Sequence, residues 1–226
     1  MDYYYLLLVL PAFILALIAQ WSVKATYKRY SRVMSANGVT GSYVARRILD
    51  ENGLSDIGIE RISGELTDHY DPKAKVIRLS ESTYDSCSIA AAGVAAHEAG
   101  HAVQYARDYA PIRLRSAIIP ITNIGANLSW PAIVLGLFLS IDGLIYVGIG
   151  LFALSVVFQL VTLPVEFNAS RRAIAILDAD NVLSDEELTG AKKVLRAAAM
   201  TYVAALAVSL ANLLRLILLF GGRRRR

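Results

Sequence analysis

The chain has 226 residues, of which 55% are hydrophobic and 19% charged, with a formal net charge of +4 and a mean hydropathy of +0.45. That is too apolar for an ordinary soluble domain and too charged for a bare bundle of membrane helices, so a membrane protein with a small water-facing part fits both values. A single cysteine, Cys87, excludes an internal disulfide framework and is expected as a small buried residue. The positive charge lies beside apolar segments, which points to topology and lipid headgroups and away from nucleic acid.

Tyr3 to Trp21 is the first membrane candidate, with interfacial aromatics at both ends. Asp2 precedes it, and Lys24, Lys28, Arg29 and Arg32 follow, the reverse of a cleaved signal peptide. Residues 1–21 are therefore expected to be an uncleaved anchor with its N-terminus outside and the following chain cytoplasmic.

Residues 22–116 are expected to form a small α+β part. Thr40 to Gly53 predicts a short helix closed by glycine. Ile57 to Ile62 alternates as a strand; Leu66 to Tyr70 and Val76 to Ser80 predict two more, separated by a turn at Asp71-Pro72-Lys73. Asp68, Asp71, Asp178 and Asp180 are turn residues in this scheme. A long helix follows, from about Tyr84 to Asp108. The strand just before it has an open edge that can pair with an extended peptide, or it simply covers the helix.

That helix carries Val94-Ala-Ala-His-Glu-Ala-Gly-His, an H-E-x-x-H motif. His97 and His101 stand one turn apart on one face, where two imidazoles can grip a divalent ion, usually zinc. Glu98 sits at the edge of that face, placed to take a proton from an attacking water without being a ligand. With only three histidines in the chain, a chance match is rare. The small residues Ala95, Ala96, Ala99 and Gly100 leave room for the ion and for close packing of a neighbouring element.

Residues 117–163 hold two apolar runs, Ile118 to Leu139 and Leu144 to Leu163, joined by Ser140-Ile-Asp-Gly143. So short a joint makes a membrane hairpin and returns the chain to the side it left. Pro120, Asn123, Asn127 and Pro131 suggest that the first run is kinked and faces protein on one side. Residues 164–199 are expected as cytoplasmic helices. Pro164 stands in the first turn of one, and Ser184-Asp-Glu-Glu187 is a capping box that starts another. Residues 200–226 complete the chain with an apolar helix and a basic tail, Arg223 to Arg226. Arg215 interrupts that last run and the tail opposes the positive-inside rule, so the final helix either spans, lies along the interface or re-enters. The expected class is a mainly α integral membrane protein with three to four transmembrane helices and a small zincin-like α+β metallopeptidase part.

A catalytic zinc takes three protein ligands and an open position. Glu166 stands out for the third, immediately after the hairpin and on the side of the H-E-x-x-H helix. The plainer account of Glu166 is a helix N-terminal carboxylate favoured by the helix dipole.

The chain resembles the YugP-type membrane zinc metallopeptidases over nearly its whole length, and more distantly the HtpX-like peptidases of the gluzincin group. The marks are Leu66-Thr-Asp-His-Tyr-Asp-Pro, Val76-Ile-Arg-Leu-Ser, Ala95-Ala-His-Glu-Ala-Gly-His, Pro164-Val-Glu-Phe-Asn-Ala-Ser and Met200-Thr-Tyr-Val. The resemblance implies one zinc ion per chain held by His97, His101 and Glu166, with Glu98 as general base. Where the distant relatives place aspartate four residues after the ligand glutamate, this chain has Ser170, a weaker acceptor, so that Asn168 can share the task of holding a ligand histidine. An oxyanion donor is also needed, for which His69, Asn168, Arg171, Arg172 and a tyrosine are candidates. For the arginines a positive-inside anchor role, and for His69 a turn role, are equally open.

These features predict a membrane-embedded zinc endopeptidase acting on polypeptides, membrane-associated ones above all, near the cytoplasmic surface of a bacterial plasma membrane, in quality control or processing. The competing function is a zinc-binding but non-proteolytic membrane scaffold, against which an intact Glu98 speaks. A transporter is weaker still, because the apolar runs hold few charges. No nucleic-acid partner is expected, and the sequence does not reveal an oligomeric state or a regulatory partner.

Overall fold

A computed structural model describes residues 2–179 and 181–221; the expected turn residue Asp180 and the basic tail Arg223 to Arg226 lie outside the described residues. The elements, in chain order, are a π-helical turn Tyr5–Val9 leading into α1 (Leu10–Tyr30), α2 (Gly41–Glu51), β1 (Gly58–Ile62), β2 (His69–Asp71), β3 (Val76–Ser80), α3 (Glu81–Tyr84), α4 (Ile89–Ala106), α5 (Ala110–Phe138), α6 (Asp142–Ala179) and α7 (Asp185–Phe220). The mainly helical class with one small sheet is as expected. The chain divides into two compact units, the first made of Met1–Gln20, Arg113–Pro164 and Met200–Arg226, the second of Trp21–Ile112 and Val165–Ala199.

The first unit is helical. Among the described residues four helices, Tyr5–Tyr30, Ala110–Phe138, Asp142–Ala179 and Asp185–Phe220, are long and apolar enough to cross a membrane. Side chains such as Phe13, Ile14, Leu17, Leu128 and Leu135 stand exposed, as a lipid-facing surface requires. α5 and α6 pack through small residues. A Cβ on Gly136 would lie 2.8 Å from the Ile145 backbone nitrogen, and one on Gly148 2.8 Å from the Ser129 carbonyl oxygen. α5 and α6 thus meet in an intimate helix–helix contact. Arg215 is met by Asp2, with Nε 3.0 Å from Oδ2, and Tyr146 Oη donates to the Phe220 carbonyl oxygen at 3.2 Å. The arginine that interrupts the last apolar run is therefore charge-matched within the unit, which answers one of the two grounds for laying that helix along the interface; the other, the basic tail, lies outside the described residues.

Two helix boundaries differ from expectation. Pro164 starts no new helix; it lies inside α6, which runs unbroken to Ala179. Its missing N–H forfeits one backbone bond, whereas ending the helix beside an apolar run would strand several polar groups. α4 begins later than expected, at Ile89, because Ser88 caps it, its Oγ accepting from the Ala91 N–H at 3.2 Å. The short α3 is a separate turn.

The second unit is built around α4, whose apolar residues pack on α2, the sheet and parts of α6 and α7: Val44, Ile48 and Leu49, Ile77 and Leu79, Ala173 and Leu177, Leu188 and Leu195 share one core. A helix apolar on nearly every side belongs in such a centre. The sheet order is β1-β3-β2, with β3 parallel to β1 and antiparallel to β2. The strand immediately before the H-E-x-x-H helix is thus the middle one and has no open edge. The β2–β3 hairpin swings β2 to the outside, giving the free edge to β2 on that flank. Asp71 shapes the hairpin, accepting from the Lys73 and Ala74 N–H groups and pairing with Arg78 at 2.9 Å. Asp68 accepts from the Ser80 N–H at 2.8 Å and tethers the loop to the end of β3. The Ser184 capping box forms, Glu187 Oε2 accepting from the Ser184 N–H at 2.8 Å. Cys87 is half-buried, its thiol donating to the Gly38 carbonyl.

Candidate metal centre

The second unit brings α4 and α6 into close contact where Gly100 meets Ala169; a Cβ on Gly100 would stand 2.9 Å from the Ala169 carbonyl oxygen. This is one of the small residues expected to admit a neighbour, and the neighbour is α6. The approach lets Glu166, three residues before Ala169, reach both histidines. Its Oε2 lies 3.3 Å from His97 Nε2 and 3.6 Å from His101 Nε2. The two rings stand edge to face, with centroids 4.7 Å apart, and the ligand atoms of the three residues all fall within 4.8 Å of one another.

Donors on one tetrahedral zinc at bond lengths near 2.1 Å sit about 3.4 Å apart. The separations from Glu166 match that spacing, and two imidazole nitrogens with one carboxylate oxygen is a donor set that zinc accepts. His97, His101 and Glu166 thus form a cluster able to hold a metal ion. Glu166 lies in the interior of a 38-residue helix and is 2% exposed, so the helix dipole does not account for it. A carboxylate so buried calls for cationic partners.

Glu98 is not part of that cluster. Its side chain turns to the sheet, where Oε2 accepts from the Tyr70 N–H of β2 at 3.0 Å. The carboxylate is thereby fixed between the metal-binding face of α4 and the free edge of the sheet.

The far nitrogens of both histidines are also engaged. Ser170 Oγ lies 3.2 Å from His97 Nδ1, and Gln104 Oε1 lies 3.0 Å from His101 Nδ1. Gln104 is fully buried, and its amide nitrogen donates to the Val165 carbonyl at 2.8 Å and to Asn168 Oδ1 at 3.0 Å. Arg172 Nε donates to the same Asn168 oxygen at 2.8 Å. Burial of His101 opposes its protonation, but the bond its ring donates to Glu166 and the charges of Glu98 and Glu166 outweigh this and raise its pKa above the ordinary 6.5.

The remaining candidates fall elsewhere. His69 opens β2 with an exposed side chain, its Nδ1 2.9 Å from the Thr67 carbonyl and its Nε2 3.5 Å from Arg78; no described contact joins it to the cluster. Arg171 is exposed and lines a groove with α7. Arg172 acts on Asn168. Sequence reasoning overlooked Gln104 and Tyr70. Gln104 had a signal, a polar side chain three residues after His101 in an otherwise apolar stretch. Tyr70 had none, because its backbone makes the contact.

Residues 5–221 match the family model described as "Putative neutral zinc metallopeptidase". The chain belongs to this family. It is also 46% identical over 216 residues, covering 96% of each chain, to the Bacillus subtilis (strain 168) protein named "Putative membrane protease YugP". No solved structure matches. Family membership and the His–His–Glu cluster together make this a zinc-peptidase-type enzyme of the H-E-x-x-H, gluzincin pattern, with four helices suited to a multi-pass membrane protein.

Proposed function

We propose that the chain binds one zinc ion through His97, His101 and Glu166 and hydrolyses peptide bonds of membrane-associated polypeptides at the cytoplasmic face of a bacterial plasma membrane. The observation that carries this is the convergence of those three side chains beside Glu98. Zinc bound there would polarise the scissile carbonyl and lower the pKa of a water in its open position. Glu98 takes the proton of the attacking water and delivers it to the departing amine nitrogen. The Tyr70 N–H holds that carboxylate in place, which leaves the Tyr70 carbonyl as the backbone group that the outer edge of β2 offers to an extended substrate strand. Gln104 and Ser170 fix the ligand imidazoles through their far nitrogens. Arg172 holds Asn168, which orients Gln104.

In this scheme residues 1–21, 117–163 and 200–226 lie in or against the bilayer, and 22–116 and 164–199 face the cytoplasm. Lysines and arginines adjoining the apolar runs, among them Lys24, Lys28, Arg113 and Arg172, support that orientation. The name of the Bacillus relative, "Putative membrane protease YugP", supports a polypeptide substrate and a membrane setting.

The deciding experiment measures zinc content and cleavage of an unfolded membrane-derived polypeptide, in detergent, for the parent and for Glu98→Gln. Zinc retained by both with cleavage lost only in the variant is the expected result. Cleavage preserved in the variant removes Glu98 as base, and zinc bound without cleavage by either protein favours the scaffold. A parent that binds no zinc overturns the site.

A further inference from the structure

We propose that a groove between α6 and α7 in the second unit binds an anionic phospholipid, phosphate at its rim and the first part of an acyl chain along its floor. The groove has a volume of about 250 Å3 and is lined by Phe167, Arg171 and Ile174 from α6 and by Lys192, Leu195 and Arg196 from α7. On each helix these positions recur three or four residues apart, so they form one continuous face. Leu195 is buried in the floor, and the three cations are exposed. Among the described residues none of these cations has an ion-pair or hydrogen-bond partner.

Three positive groups gathered without a counter-charge repel one another, and an anion offsets that repulsion. A small soluble anion would need no apolar floor. An amphiphile with one negative head and a hydrocarbon tail uses both. The chain also supplies the address: Phe167 is one turn beyond the apolar run that ends before Pro164, and Ala199, at the end of the groove, directly precedes the apolar stretch from Met200. Basic residues at the border of an apolar run are where lipid phosphates are met. The groove is connected to the metal cluster through one side chain. Ser170 lines it and places its Oγ 3.2 Å from His97 Nδ1. The binding site itself does not depend on the catalytic role of the cluster.

The test uses the delipidated full chain in neutral detergent, titrated with phosphatidylglycerol, phosphatidylcholine or glycerol 3-phosphate and followed by native mass spectrometry. Phosphatidylglycerol is expected to bind on the order of 10- to 100-fold more tightly than phosphatidylcholine, from about three cation–phosphate contacts. The triple variant R171A/K192A/R196A is expected to lose that preference, while K24A/K28A/R32A, with the same change in net charge, retains it. All six side chains are exposed, so both variants should melt with the parent, which the same samples verify. Equal binding of the two lipids, or equal loss in the two triple variants, overturns the proposal. So does displacement of bound lipid by glycerol 3-phosphate or by a glutamate-rich peptide at the concentrations at which phosphatidylglycerol displaces it, since the groove would then read charge alone.

Discussion

Gln104 Oε1 lies 3.0 Å from His101 Nδ1, and the bond can run in only one direction. The Gln104 amide nitrogen faces two oxygens, the Val165 carbonyl and Asn168 Oδ1, so it must be the donor there. Its own oxygen is then left to accept. His101 therefore carries a proton on Nδ1, so that Nε2 donates to Glu166 when the ring is protonated and offers its lone pair to a metal when the ring is neutral, the tautomer a metal requires. Replacing Gln104 with leucine removes the acceptor and leaves the Val165 carbonyl without this donor. Zinc affinity, measured by competition with a chelator, should fall roughly 10- to 100-fold with His97 and His101 intact. Gln104→Glu, which keeps an acceptor, should lose less. Unchanged affinity in the leucine variant would remove Gln104 from the site.

Gly100 tests the helix contact. A methyl group there would press on the Ala169 carbonyl at 2.9 Å, a backbone atom that cannot swing aside. Gly100→Ala is expected to destabilise the protein by about 1–3 kcal/mol, the usual cost of overpacking, and to weaken zinc binding by moving Glu166 away from the histidines. Gly143→Ala, where no atom lies within 4 Å of the added carbon, is the control and should melt with the parent. Thermal unfolding in detergent distinguishes the two; equal melting temperatures would mean that α4 and α6 tolerate a wider separation.

The elements that carry a local signal were legible in the chain. Thr40 caps α2 by accepting from the Tyr43 N–H, Gly53 follows that helix with φ of +71°, and Ser184 and Glu187 cap each other, all from patterns a few residues long. The H-E-x-x-H spacing brought His97 and His101 to one face for the same reason. What escaped depended on tertiary context. Pro164 reads locally as a helix start, yet the backbone of an apolar helix has no alternative partner for the bonds it would release. The sheet order hides which strand is outermost, because the H-bonding partner of β3 on each flank is set by the β2–β3 hairpin and not by sequence adjacency. Arg215 looks like an obstacle to a membrane helix until Asp2, at the other end of the chain, is placed beside it.

The protonation of His101 sets opposite pH trends for the metal-free and zinc-loaded protein. Burial lowers its pKa, and the bond and charge of Glu166 with the charge of Glu98 raise it to a net value above the ordinary 6.5. A pKa raised on folding adds stability that is fully present below the unfolded value and is lost as pH rises through the folded one. The metal-free protein should therefore lose stability as pH increases upward from 6.5. Zinc needs the neutral ring, so its binding releases a proton and strengthens over the same window. Melting curves with and without zinc should diverge as pH rises, and calorimetry in buffers of different ionisation enthalpy should detect the released proton. Zinc affinity independent of pH across this window, with no proton released, would rule out the His101–Glu166 pairing as the competitor.

Asp2 and Arg215 should respond unequally to substitution. Arg215 Nε is 3.0 Å from Asp2 Oδ2, and the guanidinium also lies 5.5 Å from the centre of the Tyr5 ring. An arginine within an apolar helix is tolerated because its charge is matched. Asp2→Asn removes the matching charge and leaves the cation in place, so it should lower the melting temperature. The double variant D2N/R215L removes both charges and puts an apolar side chain among the apolar residues of α7, so it should recover most of the loss, as replacement of a whole ion pair often does. If Asp2→Asn melts with the parent, Arg215 is satisfied by other groups and the pair does not hold α1 to α7. If the double variant is as unstable as the single one, the guanidinium stem and its contact with Tyr5 contribute more than its charge.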